Sequence, residues 1–270
     1  MIGIGKNLFK SNVKVVGGAS TDPDAQAFIT AAGITDATQK SAVNQLVLDL
    51  KGYSIWTKMK AIYPIVGGSA SSHKWNLKDP RDLDAAYRLN FATGWTHSIN
   101  GMTPNGTSAY ADTFITPSTS LNQNNTHLSI YSRTDLNSGG ASIGSNMGTP
   151  LFTNQLAIVS KSANIFYSSI NQASVSGISN TNGRGFYLAK RTSSTGIVMQ
   201  KNNTQTSVTI SSSGLSNFKL SIGATNAGGS FYYDPNQLAF VSIGDGLTDT
   251  EATNFYTAVQ NYNTTLGRQV

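Results

Sequence analysis

The chain has 270 residues, no cysteine, 12% charged residues and a formal net charge of +6. Its length supports a full hydrophobic core, and without cysteine there are no disulfides, thiolate metal sites or cysteine nucleophile. The longest apolar run, Ala61-Ile-Tyr-Pro-Ile-Val66, falls far short of the ~20 residues of a membrane span, and Met1–Lys6 lacks the features of a secretory signal.

Serine (33), threonine (29), asparagine (25) and glycine (26) dominate, whereas Glu251 is the only glutamate. This composition suits strands joined by many turns rather than a helix-rich enzyme. The 19 basic residues are scattered, with no cluster denser than Lys58 and Lys60, so no nucleic-acid partner is expected.

Residues 1–21 read as an N-terminal arm, glycine-punctuated and carrying Lys6, Lys10 and Lys14. A helical collar is expected over 22–59. Asp22-Pro23 starts a first helix with Ala25, Phe28, Ile29 and Ala32 on one face, and Gly33 ends it. Thr35 or Asp36 caps a second, in which Val43, Leu46, Val47 and Leu50 fall at helical spacing. From about residue 60 the period changes to two. The clearest alternation is Leu83–Phe91, where Leu83, Ala85, Tyr87, Leu89 and Phe91 oppose Asp82, Asp84, Arg88 and Asn90. Further strands are expected at 127–133, 155–160, 185–191, 197–201, 207–210, 218–224 and 238–244, separated by Asn/Gly turn clusters. A closing helix is expected over 248–263, opened by the capping box Thr248-Asp-Thr-Glu251. The fold class is therefore mostly β, an antiparallel β-sandwich over 60–270 with an N-terminal helical pair and a short C-terminal helix.

Chemistry-bearing patterns are sparse. Glycoside hydrolysis normally uses two carboxyl groups, and the single glutamate is already assigned to a cap. Asp82 and Asp84 read as a charge-paired face with Arg81 and Arg88. His73, His97 and His127 lack metal-ligand spacing and read as hydrogen-bonded strand residues, so no metal site is expected. Asp245 and Asp249 are the best calcium candidates, although a turn into the capped helix explains them more simply. The feature least explained by packing is Trp95-Thr-His97 followed by Asn105 and Tyr110-Ala-Asp112. An aromatic face with amide and carboxylate neighbours is a sugar-binding pattern, and Trp95, His97, Asn105, Tyr110 and Asp112 form the candidate glycan site. Alternatively, Trp95 and Tyr110 are core residues bracketing a hairpin.

The segment Phe218–Ala224, the strand Leu238–Asp245 and Leu247-Thr-Asp-Thr-Glu251 resemble the closing section of concanavalin A-like (laminin-G-like) lectin/glucanase domains. Val198-Met-Gln-Lys-Asn-Asn203 resembles a hairpin of the same domains, with Asn203 where glycine is usual. That resemblance implies a concanavalin A-like jelly roll. Because the glucanase pattern Glu-x-Asp-x-x-Glu is absent, it does not carry over activity. The stretches Asp24–Asp36, Trp56–Gly68, Asn105–Phe114 and Thr265–Val270 also resemble a group of bacteriophage structural proteins.

The resemblance implies a non-enzymatic virion surface protein: a capsid decoration, head fibre or tail-appendage subunit bearing a lectin-like sandwich. The expected partners are other virion proteins, reached through the arm and helices, and a cell-surface glycan. The expected assembly is a homo-oligomer on the particle surface, made in the host cytoplasm without a signal peptide. Two alternatives stand beside this: a structural cement protein without a ligand site, and an Asp-based carbohydrate-active enzyme using Asp82, Asp84 and Asp112.

Overall fold

The computed structural model describes residues 21–147 and 153–270, so the arm expected over 1–21 lies, but for Thr21, outside the described residues. In chain order the elements are α1 (Pro23–Ala31), α2 (Ala37–Gly52), β1 (Met59–Tyr63), α3 (Ala70–His73), β2 (Asn90–Phe91), β3 (Trp95–Ser98), β4 (Gly101–Pro104), β5 (Ala111–Asp112), α4 (Pro117–Ser120) and β6 (Thr126–Ser132). They continue with β7 (Ile143–Ser145), β8 (Gln155–Ser162), β9 (Ile165–Gln172), β10 (Ser176–Ser179), β11 (Gly185–Arg191), β12 (Gly196–Lys201) and β13 (Thr204–Thr209). The last are β14 (Ser221–Ile222), β15 (Ala224–Ala227), β16 (Ser230–Tyr233), β17 (Leu238–Gly244) and α5 (Asp249–Thr265).

Two sheets form. The first runs β13-β12-β11-β6-β17-β4-β3 with β1 added against β17, and the second runs β10-β9-β8-β7-β14-β5-β2 with β15 and β16 beside β7. All pairings are antiparallel except β15 with β7. Strand alternation builds two cores. On β6 and β11, Leu128, Ile130, Tyr187 and Ala189 face the second sheet and meet Leu156, Ile158, Phe166 and Ile170. The intervening Tyr131, Phe186 and Leu188 face the other way, under α1, α2 and α5. Each large side chain buried in this way contributes roughly 1.5–3 kcal/mol.

The helices begin where the sequence places caps. Asp22 accepts the Asp24 N–H at 3.0 Å, and Asp36, rather than Thr35, accepts that of Gln39 at 2.8 Å. In α5, Thr248 and Glu251 cap each other's backbone N–H, and Lys58 pairs with Glu251 at 2.6 Å. The helix runs two residues beyond the expected 263.

Two expectations are corrected. Leu83–Phe91 is not a long strand: Asp84–Ala86 is a 3-10 turn, Tyr87 sits at φ 59°, and pairing is confined to Asn90–Phe91. The Leu89 N–H donates to the Lys74 carbonyl at 2.7 Å and the buried Asn76 amide to the Ala86 carbonyl at 3.0 Å, which holds the segment against residues 74–76 rather than in a sheet. On its outer side Arg88 bridges Asp82 and Asp84, Lys74 holds Asp82, and Leu83 is 51% exposed. The strand expected over 218–224 is broken at Gly223, whose φ of 79° separates β14 from β15.

Candidate functional site

The hairpin of β3 and β4 sets Trp95 and His97 on the same face, two residues apart. Their rings stack with centroids 6.2 Å apart, and Phe91 meets both edge-on at 5.5 and 4.8 Å. The Trp95 indole N–H donates to the Tyr110 carbonyl at 3.1 Å. His97 Nδ1 lies 2.9 Å from His73 Nδ1. Because His73 Nε2 accepts the Gly68 N–H at 3.2 Å, its proton resides on Nδ1 and is donated to His97. Burial pushes His73 down to about 3 and also lowers His97.

The other candidates have structural work in this arrangement. Tyr110 stacks on Phe231 at 4.2 Å. Asn105 Oδ1 accepts the N–H groups of Thr107, Ser108 and Ala109 at 2.9–3.0 Å, so its side chain holds a turn. Asp112 accepts the Phe114 N–H at 2.7 Å and pairs with Lys219 at 2.9 Å. The structure therefore brings Trp95 and His97 into direct contact. The five residues do not converge on an open platform, since the rings face one another and the polar groups are engaged.

The acidic candidates are engaged by cations as well. Asp82 and Asp84 share Arg88, with the Lys74 ammonium on Asp82, so their charge-paired face is made by Arg88 and Lys74 while Arg81 turns to Asp79. Asp249 pairs with Lys190 at 2.5 Å, and the Asp245 carbonyl accepts from His127 Nδ1 at 2.5 Å. Among the described residues no group of three or more His, Asp or Glu side chains could hold a metal ion.

A different surface forms an open groove. On β8, Leu156 and Ile158 face the core, so Gln155, Ala157 and Val159 face outward; on β9, Phe166 and Ile170 face in, and Tyr167 and Ser169 face out. Strand register then lines up Thr225, Gly144, Ala157 and Ser169 across four strands. A row of such small residues makes a trough. Tyr232, opposite Thr225 on β16, and Tyr167 rise beside it, enclosing about 380 Å³. Gly144 is required by this register, since a Cβ there would lie 2.7 Å from Thr225 Oγ1 and 3.2 Å from the Ala157 Cβ. Gln155 Oε1 accepts from Ser169 at 2.8 Å, and its Nε2 donates to no other described group.

The sequence reading missed this groove because it missed β9. The β8–β9 hairpin turns through Ala163 and Asn164 at φ 50° and 61°, a left-handed pair that Asn-Gly would have announced and Ala-Asn does not. The available signal was the outward pair Tyr167 and Ser169 between Phe166 and Ile170.

Neither a protein-family model nor a curated protein sequence matches the chain. Solved structures do. A Trypanosoma rangeli sialidase mutant displaying trans-sialidase activity aligns over 80% of this chain and 39% of its own, with a TM-score of 0.51 and 10% identity. Domain 4 of an extracellular GH43 arabinanase from Geobacillus stearothermophilus, in complex with arabinotriose, aligns over 73% of this chain and 98% of its own, with a TM-score of 0.43 and 12% identity. The chain thus spans well under half the length of the sialidase it matches. At such identity the likeness bears on the fold alone, a mostly β, two-sheet architecture. It overturns the expectation of a non-enzymatic virion surface protein. A phage origin finds no support.

Proposed function

We propose that this chain is a carbohydrate-active β-sandwich, with the concanavalin A-like jelly-roll arrangement, that takes a glycan in the groove on the outer face of the second sheet. The observation that supports this reading is the groove itself: a floor of small side chains crossed by hydroxyl and amide groups and flanked by Tyr167 and Tyr232. Tyrosine rings bind the C–H faces of sugars, and hydroxyl and amide groups bind their hydroxyls. The volume of about 380 Å³ lies within the range of small-molecule sites.

Cleaving a glycosidic bond calls for carboxyl groups beside it. No carboxylate is among the described residues lining the groove, so a hydrolytic step there would draw its acid from elsewhere. The test is binding of the purified chain to an immobilised glycan array, with release of reducing sugar measured on every glycan retained. Selective binding that Tyr167→Ala removes is the expected result. Absence of binding by folded protein across a broad array would overturn the proposal.

A further inference from the structure

We infer that the groove is built for an uncharged glycan, a short neutral oligosaccharide lying across the strands, and that it rejects acidic sugars. This inference rests on the glycan reading above and specifies its ligand.

The chain carries 19 Lys and Arg and 13 acidic residues, yet none of the described residues lining the groove is charged. The charges nearest in sequence are engaged. Lys161, next to Ser162, binds Asp135 at 2.8 Å and donates to the Thr181 carbonyl at 3.1 Å. Asp234, two residues after Tyr232, is 1% exposed and is held by the Ser142 hydroxyl and the Asn236 amide.

A carboxylated sugar entering this site would lose hydration and gain no cation in return, which disfavours its binding. A neutral sugar loses only hydroxyl hydration, which Gln155, Ser162 and Thr225 can replace. The direction follows from the register. From Thr225 to Ser169 the small residues cross three strand spacings, about 14 Å at roughly 4.8 Å each, which admits more than one sugar ring. Tyr167 and Val159 face each other across β8 and β9 on the next rung and wall this path.

The experiment is titration calorimetry of the full chain against neutral oligosaccharides (gluco-, xylo-, manno- and arabino-series) and acidic ones (sialyllactose and oligogalacturonate), at low and high salt. Tyr167→Ala and Tyr167→Phe are measured alongside, with folding verified by circular dichroism. At least one neutral series is expected to bind, with an affinity changing less than about twofold with salt. Tyr167→Ala should weaken it about tenfold or more, and Tyr167→Phe should retain most of it. Preferential, salt-sensitive binding of an acidic glycan would overturn the inference. If Tyr167→Ala abolished that binding, the glycan reading of the groove would survive. Failure of folded protein to bind either class would overturn the glycan reading itself.

Discussion

The two sheets use their outer faces in opposite ways. On the first, the outward residues of β6, β11 and β17 include Tyr131, Phe186, Leu188 and Phe240, and three helices cover them. On the second, the outward row is Thr225, Gly144, Ala157 and Ser169, small residues buried at the base of a groove whose exposed walls include Tyr232 and Val175. Both faces belong to strands with equally apolar inner positions, so the difference lies entirely in the outward set. Large apolar side chains need a cover. Small and hydroxylated ones tolerate water and leave space for a ligand.

The sharpest way to break this contrast is to empty the covered face. Phe255 on α5 meets Phe186, Phe240 and His127 with ring centroids 5.6–6.0 Å apart. Phe255→Ala should cost about 3–5 kcal/mol in urea unfolding, whereas Tyr167→Ala on the open face should cost less than about 1 kcal/mol. Comparable losses at the two positions would refute the division.

The covered face should also impose a pH dependence. His127, enclosed beneath α5, is pushed down to about 4 by burial. The unfolded chain, with an ordinary value near 6.5, therefore binds the proton first as the pH falls. Stability contributed by neutral His127 is present above about pH 6.5 and is lost progressively toward pH 4, by up to about 3 kcal/mol. Denaturation midpoints between pH 7.5 and 4 measure this slope, and His127→Asn should flatten it. His73, pushed down to about 3, acts with the same sign.

On the open face, Gly144→Val should fill the trough. Its Cβ would crowd Thr225 and Ala157, so glycan affinity should fall about tenfold or more, with a stability cost of about 1–3 kcal/mol. Retained affinity would move the ligand out of the trough. The smallest effect expected is that of Asn105→Ala. Loss of a side chain that accepts three backbone N–H groups should cost about 1 kcal/mol and leave glycan affinity unchanged. Calorimetry that showed lost affinity would restore Asn105 to the binding site.

Much of the fold was legible in the sequence. The strands of 185–191 and 238–244 and the capped helix from Asp249 coincide with their patterns because alternation, caps and burial agree there. The segment Leu83–Phe91 had equally regular alternation and still turned, because its backbone is held by Lys74 and the buried Asn76 side chain instead of by a neighbouring strand. The candidate site was less legible. Trp95 and Tyr110 stand out as aromatic residues among turn residues, but their rings are used in stacking on His97 and Phe231. Tyr167 and Tyr232 carried no motif at all.

By itself the sequence determined the class of architecture, the two N-terminal helices, the closing helix and the lack of thiol chemistry. These depend on local periodicity, capping residues and composition, all of which act within a few residues of one another. The tertiary structure alone decided where a ligand could lie. Thr225, Gly144, Ala157 and Ser169 are spread over more than 80 residues of chain, and only strand register places them in one row.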